Sequence, residues 1–135
     1  MTGSWKCLLD AKGRLAVPAK LRTELGERFY VTKGVDGCLS AYSEEGWLGM
    51  EAKIAAMPSA RARVLRRMLF ANAVTCEPDA QGRIIIPKEL REYASLEREI
   101  SFIGIGESAE IWDSAKWDSF NAGMTAEDLA AALDE

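Results

Sequence analysis

There is no histidine in this chain, and its three cysteines, Cys7, Cys38 and Cys76, stand far apart. Without histidine, the usual base for a serine or cysteine nucleophile is missing. With no histidine and no CxxC spacing, a zinc site has almost no ligands to draw on, so neither a metal nor a cofactor is expected. An odd number of widely spaced cysteines is a poor disulfide framework and fits a reducing cytoplasm. No apolar run approaches the ~18 residues that would read as a bilayer span. The first ten residues lack the apolar core and small-residue cleavage site of a secretion signal.

Net positive charge is lacking as well. The chain has 135 residues, 28% of them charged, and a formal net charge of −4. Taken alone, that argues against nucleic acid, because phosphate contacts need cations. The charge is unevenly placed, however. After Gly123 come Glu127, Asp128, Asp134 and Glu135 and no base. These four account for the whole net charge, so the remaining body is neutral overall and can still carry a basic face. A hydrophobic content of 48% is enough to build a core.

What is present is a repeat. Residues 10–22 read DAKGRLAVPAKLR and residues 79–91 read DAQGRIIIPKELR, identical at seven of thirteen positions at an offset of 69. Cys7 and Cys76 share that offset. Near an offset of 70, Tyr42 matches Trp112, Trp47 matches Trp117, and Ser43 matches Asp113. The last two are both good helix N-caps.

Each copy yields the same coarse reading. Strands are expected near 5–9 and 73–77, where Trp5, Cys7 and Leu9 alternate with Lys6 and Leu8. A turn follows, with Asp10 or Asp79 at its first position and Gly13 or Gly82 at its fourth, as a type I turn favours. The chain returns as a strand at 14–17 or 83–86. Pro18 or Pro87 then ends the strand and opens a short helix running to about Leu25 or Ala94. Strands near 29–33, 38–42, 100–104 and 109–112 come next, and each copy closes with a helix beginning at Glu44 or Ser114. Between the copies, residues 59–71 read as a helix with Val64, Leu65, Met68 and Leu69 on its apolar face. Thr125 and the acids after it suggest a capped helix in the tail. The organisation is thus a first unit at 4–48, a helical linker at 49–73, a second unit at 74–118 and an acidic tail at 119–135.

The repeated D-x-x-G-R-[LI]-x-[VI]-P-x-x-[LF]-R string resembles the AbrB/SpoVT-type swapped-hairpin module. Two copies, joined by a helical linker carrying RxRxLRRMLF, resemble the MraZ family of transcriptional regulators, over roughly residues 3–118. The resemblance implies an α+β fold. Two half-modules interleave into a small pseudo-twofold β-barrel with short flanking helices. It also implies a ring-shaped homo-oligomer and a repressor that binds direct repeats in double-stranded promoter DNA at the division and cell-wall gene cluster. The family's DNA contact falls on Arg14 and Arg83. The chain departs modestly from the family: Met-Thr-Gly-Ser opens it where an aromatic often follows Met, and Gln81 stands in copy two where copy one has Lys12.

Read without the family, an arginine after a hairpin glycine is usually a solvated strand-start residue. Its duplication on rigid turns shifts the balance, because a planar guanidinium entering a major groove pairs bidentately with guanine. Asp10 and Asp79 are read as turn supports, accepting backbone N–H groups two residues on. Lys12, at the turn tip, is the leading phosphate candidate. Lys20, Arg22, Lys88 and Arg91, on the short helices, are candidates whose plain alternative is a solvated face. Arg61, Arg63, Arg66 and Arg67 form the densest basic cluster and suit a subunit contact slightly better than phosphate. Trp47, Trp112 and Trp117 are read as core, and Gly104-Ile-Gly106 lacks the strand–GxGxxG–helix setting of a nucleotide site. No small-molecule substrate is implied. The competing reading is an antitoxin-like module that binds another protein through the acidic tail and not DNA.

Overall fold

The computed structural model describes residues 1–134. Each copy lays down the elements its pattern predicts, within one or two residues. In copy one these are β1 (Ser4–Leu8), β2 (Arg14–Ala16), α1 (Ala19–Leu25), β3 (Phe29–Lys33), β4 (Leu39–Ser43) and α2 (Glu44–Ala55). Copy two supplies β5 (Val74–Cys76), β6 (Arg83–Ile85), α4 (Lys88–Tyr93), β7 (Glu99–Gly104), β8 (Ala109–Asp113) and α5 (Ser114–Ala122). Between them lies α3 (Ser59–Leu65), which runs on as a π-helical turn over Arg66–Phe70. The tail carries α6 (Ala126–Leu133), closed at its start by a reciprocal Thr125–Asp128 capping box.

Local chemistry sets these boundaries. Pro18 and Pro87 each hold the position just before a helix, with φ near −54° and −60°. Proline's fixed φ suits that entry, and its missing N–H has no partner to lose there. Ser43 caps α2 by accepting the Gly46 N–H at 3.1 Å. Asp113 holds the matching place before α5 but does not cap it. Its carboxylate accepts the Glu97 N–H at 3.2 Å and ties the helix start to the loop before β7.

The strands form a six-stranded antiparallel sheet in the order β1-β7-β8-β4-β3-β5, and a separate two-stranded ribbon of β2 and β6. Exchanging the two copies reads the same order from the opposite edge. The first strand of each copy pairs with the third strand of the other: Cys7 faces Ile100, and Cys76 faces Phe29. The copies are therefore interleaved rather than set side by side.

The closed barrel implied by the family resemblance is not what forms. β1 and β5 are the two edges of the sheet and do not pair with each other. The two remaining strands, β2 and β6, are three residues long and use their ladder on one another. They cover the sheet with side chains instead. Leu15 and Ile84, at the middle of the ribbon, join Phe29, Val31, Ile100 and Phe102 in one core cluster.

The linker also packs differently from its sequence pattern. Within its 59–71 helix Ala62 is the buried residue and Leu65 and Leu69 are half-buried, whereas Val64 and Met68 are exposed. The π turn widens the helix after Leu65 and shifts the register of the residues that follow, Met68 among them, whereas Val64 precedes it in the regular part of α3. Thr32, buried on β3, anchors this turn by donating its hydroxyl to the Leu69 carbonyl at 2.5 Å.

Leu15 is fully buried at the crossing of the two copies. Leu15→Ala is expected to lower unfolding stability by about 2–5 kcal/mol. Urea denaturation of the chain measures it, with a midpoint shift at unchanged slope marking a loss of stability alone.

Candidate nucleic-acid interface

The two D-x-x-G-R turns adopt the same hydrogen-bonded form. Gly13 donates its N–H to the Asp10 carbonyl at 3.0 Å, and Gly82 to that of Asp79 at 2.9 Å. Both glycines have positive φ, 81° and 77°, a region that costs a residue with a Cβ. Each aspartate braces its turn from within. Asp10 Oδ1 accepts the N–H groups of Lys12 and Arg14, both at 2.9 Å. Asp79 Oδ1 accepts those of Gln81 and Arg83, also at 2.9 Å. The bonds from Arg14 N–H and Arg83 N–H are the leading reason both carboxyl groups are held below the ordinary aspartate range.

The second oxygen of each aspartate steers the arginine. Arg14 Nε donates to Asp10 Oδ2 at 2.6 Å, and Arg83 Nε to Asp79 Oδ2 at 3.1 Å. The arginine side chains stay about one-third exposed, 35% and 33%. At that exposure the ion pairs contribute little stability; what they fix is direction. Bonding through Nε leaves the paired Nη end of each guanidinium outside these contacts.

The ribbon register places the two arginines together. Arg14 lies opposite Ile85, Leu15 opposite Ile84, and Ala16 opposite Arg83. Cross-strand partners share a face and side chains alternate along a strand. Arg14, Ala16, Arg83 and Ile85 therefore point one way, and Leu15 and Ile84 point into the core, 0% and 3% exposed. The arginines are diagonal neighbours on the outer face, a separation of about 7–8 Å in such a ladder.

Each short helix serves the turn of the other copy. A side chain at Gly82 would collide with the Arg22 guanidinium, 2.3 Å from Nη1. One at Gly13 would press on Arg91, 3.2 Å from Cζ. Arg22 and Arg91 thus lie across the opposite hairpin, with their Nε atoms buried and unpaired among the described residues. Sequence adjacency puts Arg22 beside the first turn; interleaving puts it over the second. Lys88 shares a concavity with Asp10, Ala11 and Arg91 and pairs with Glu92 at 3.8 Å. Lys12 is exposed at its turn, with Gln81 in the same place on the other. Lys20 leans over the Trp5 ring at 5.9 Å, apart from the paired arginines. The side chain that sequence reasoning passed over is Ile85. The alternation of strand 83–86 held the signal, because it puts residue 85 on the same face as Arg83.

Other chemistry has little material. Burial pushes the thiols up, to about 11 for Cys7 and about 12 for Cys38 and Cys76, far from a thiolate at neutral pH. Among the described residues no cluster of His, Cys, Asp or Glu is placed to hold a metal ion, and no helix is long and apolar enough to cross a membrane. Trp47 stacks on Tyr30 with ring centroids 4.7 Å apart, and Trp112 is 2% exposed, both serving the core.

The same family profile, described as "MraZ protein, putative antitoxin-like", matches the chain twice, over residues 1–67 and 69–135. This chain belongs to the MraZ family. A protein of Thermoanaerobacter pseudethanolicus named Transcriptional regulator MraZ is 45% identical, over 100% of this chain and 97% of its own length. Proteins of the same name from Acetivibrio thermocellus and Heliobacterium modesticaldum are 46% and 44% identical, each over 97% of this chain and 94% of theirs. The twofold match agrees with the repeat.

Two outcomes follow from this geometry. Gly82→Ala meets both a positive φ and the Arg22 guanidinium, so it should destabilise the chain by more than ~1 kcal/mol. Thermal unfolding of Gly82→Ala beside Arg22→Ala/Gly82→Ala checks it, the second variant recovering part of the loss. For Asp10 and Asp79, the folded pKa lies below the unfolded one. Their stabilising contribution is complete above the ordinary aspartate value of about 3.9 and is lost as pH falls through the lowered value. Carboxyl carbon NMR should find both titrating below that value, and Arg14→Ala should move Asp10 back towards it.

Proposed function

We propose that the chain is a transcriptional regulator that binds double-stranded DNA through the outer face of the β2–β6 ribbon, with Arg14 and Arg83 reading base edges. The observation that carries this is the pair of arginines on one exposed two-stranded ribbon, each aimed by its own turn aspartate. A two-stranded ribbon fits a B-DNA major groove, and a guanidinium presented end-on matches guanine O6 and N7. The names of the relatives support regulation of transcription as the setting. Lys12 and Lys88 flank the turns as phosphate contacts, and Arg22 and Arg91 chiefly brace the hairpins. The exchanged strand pairing supports the swapped-hairpin relation between the copies.

A single ribbon offers two arginines and modest affinity. A ring of several copies presenting their ribbons to spaced direct repeats raises affinity through effective concentration. The division and cell-wall gene cluster, read through repeats upstream of it, is the proposed target, with repression the proposed effect. An acidic chain manages this because its excess negative charge sits in the tail, and the ribbon face carries the arginines. Both the cytoplasm and association with the nucleoid follow from that role.

A second reading has its own observation. The described residues of α6 are all exposed, with Leu129 at 62% and Leu133 at 76%. An acidic, amphipathic helix left without a partner suits the antitoxin-like alternative, in which the tail holds another protein.

Gel-shift titration against DNA upstream of the gene separates the two. Under the first reading, Arg14→Ala and Arg83→Ala each cost about 1–3 kcal/mol at particular base pairs, and log K falls steadily with log salt. A flat salt dependence contradicts it. Truncation after Gly123 leaves DNA binding intact under the first reading and abolishes partner binding under the second.

A further inference from the structure

The outer face of the ribbon is a square of four side chains. Arg14 and Arg83 occupy one diagonal, Ala16 and Ile85 the other. Exchange of the two copies maps Arg14 onto Arg83 and leaves that diagonal unchanged. The same exchange maps Ala16 onto Ile85 and so replaces a methyl group with a branched four-carbon side chain. The arginine charges of the square are therefore symmetric, and its apolar relief is not. Ile85 is 64% exposed, directly across the ladder from Arg14, whereas its strand neighbours Ile84 and Ile86 are 3% and 0% exposed.

We propose that Ile85 is a specificity-determining residue that packs on the C5-methyl group of a thymine next to the base read by Arg14. This rests on the ribbon being the groove-reading face. The thymine methyl is the one apolar group on a base edge in the major groove, and cytosine in its place offers none. Ile85 stands beside a guanidinium whose direction Asp10 fixes, so the methyl it meets has a set position relative to the Arg14 base. Ala16, at the corresponding place beside Arg83, is too short to make the same contact. The bound sequence then carries a base preference from an arginine in both halves and a thymine preference in one half only. Each subunit gains a direction on the duplex, which two equal arginines cannot supply.

The experiment begins with a random-sequence duplex pool selected on the full-length chain. The recovered duplex is then remade with each thymine replaced singly by deoxyuridine, which removes only the methyl group. At one position the wild type should lose about fourfold in affinity, the ratio that one buried methylene of about 0.8 kcal/mol gives. Ile85→Ala should bind the thymine and deoxyuridine duplexes equally, and Ala16→Ile should acquire a deoxyuridine-sensitive position in the other half. The proposal is overturned if Ile85→Ala keeps the wild-type discrimination, or if the wild type shows none while Arg14→Ala still relaxes a base preference. A lower molecular mass for Ile85→Ala by light scattering, with discrimination unchanged, also overturns it and places Ile85 between copies. A pool that yields no preferred sequence overturns the groove reading itself, and this proposal with it.

Discussion

Three residue pairs between β2 and β6 hold the two hairpins of this molecule in one arrangement. The ladder they form crosses from one copy of the repeat to the other. It is extended at both ends, by the Val17 N–H donating to the Gly82 carbonyl and the Ile86 N–H to that of Gly13, both at 2.9 Å. Because each strand follows directly from a tight turn, pairing the strands fixes the two turns relative to each other. Burying Leu15 and Ile84 beneath the ladder then leaves the flanking residues only one way to point. The positions of both arginines are consequences of that single pairing.

Interleaving gives each hairpin two sets of supports. Its own aspartate organises the turn from inside and aims the arginine. The other copy's helix lays Arg22 or Arg91 across the turn glycine. The aspartate support is not a large stabilising term, since its arginine stays about one-third exposed and solvent screens the pair. The effect of the two supports is restriction: a guanidinium held by one nitrogen, on a turn that is itself covered, has little freedom left to lose. This explains how a chain with a net charge of −4 can still offer an effective cationic element, since the geometry of two charges counts for more here than the sum of all of them.

The linker and tail carry their charges outside the core. The four linker arginines, Arg61, Arg63, Arg66 and Arg67, are exposed and make no ion pair among the described residues. Their helix holds to the body through Ala62 and the π turn anchored at Thr32. α6 is capped internally and lies outside the core. The charged segments thus stand apart from the interleaved unit.

Much of this was legible in the sequence. The repeat, the eight strands, the turn form, the bracing role of Asp10 and Asp79 and the helix starts at Glu44 and Ser114 all depend on short-range chemistry. Turn hydrogen bonds, proline's fixed φ and period-two alternation act within a few residues, so the sequence states them locally. It could not state which copy each strand would pair with, because equivalent strands carry equivalent patterns and only three-dimensional closure selects the exchange. For the same reason Arg22 moves from the first turn to the second, the expected barrel stays open, and Met68 turns outward at a π turn. The amino-acid order determined the hairpins and their arginines. Tertiary structure alone decided that the two hairpins would share one ladder, because a β-strand satisfies its backbone with whichever partner the buried side chains allow to reach it.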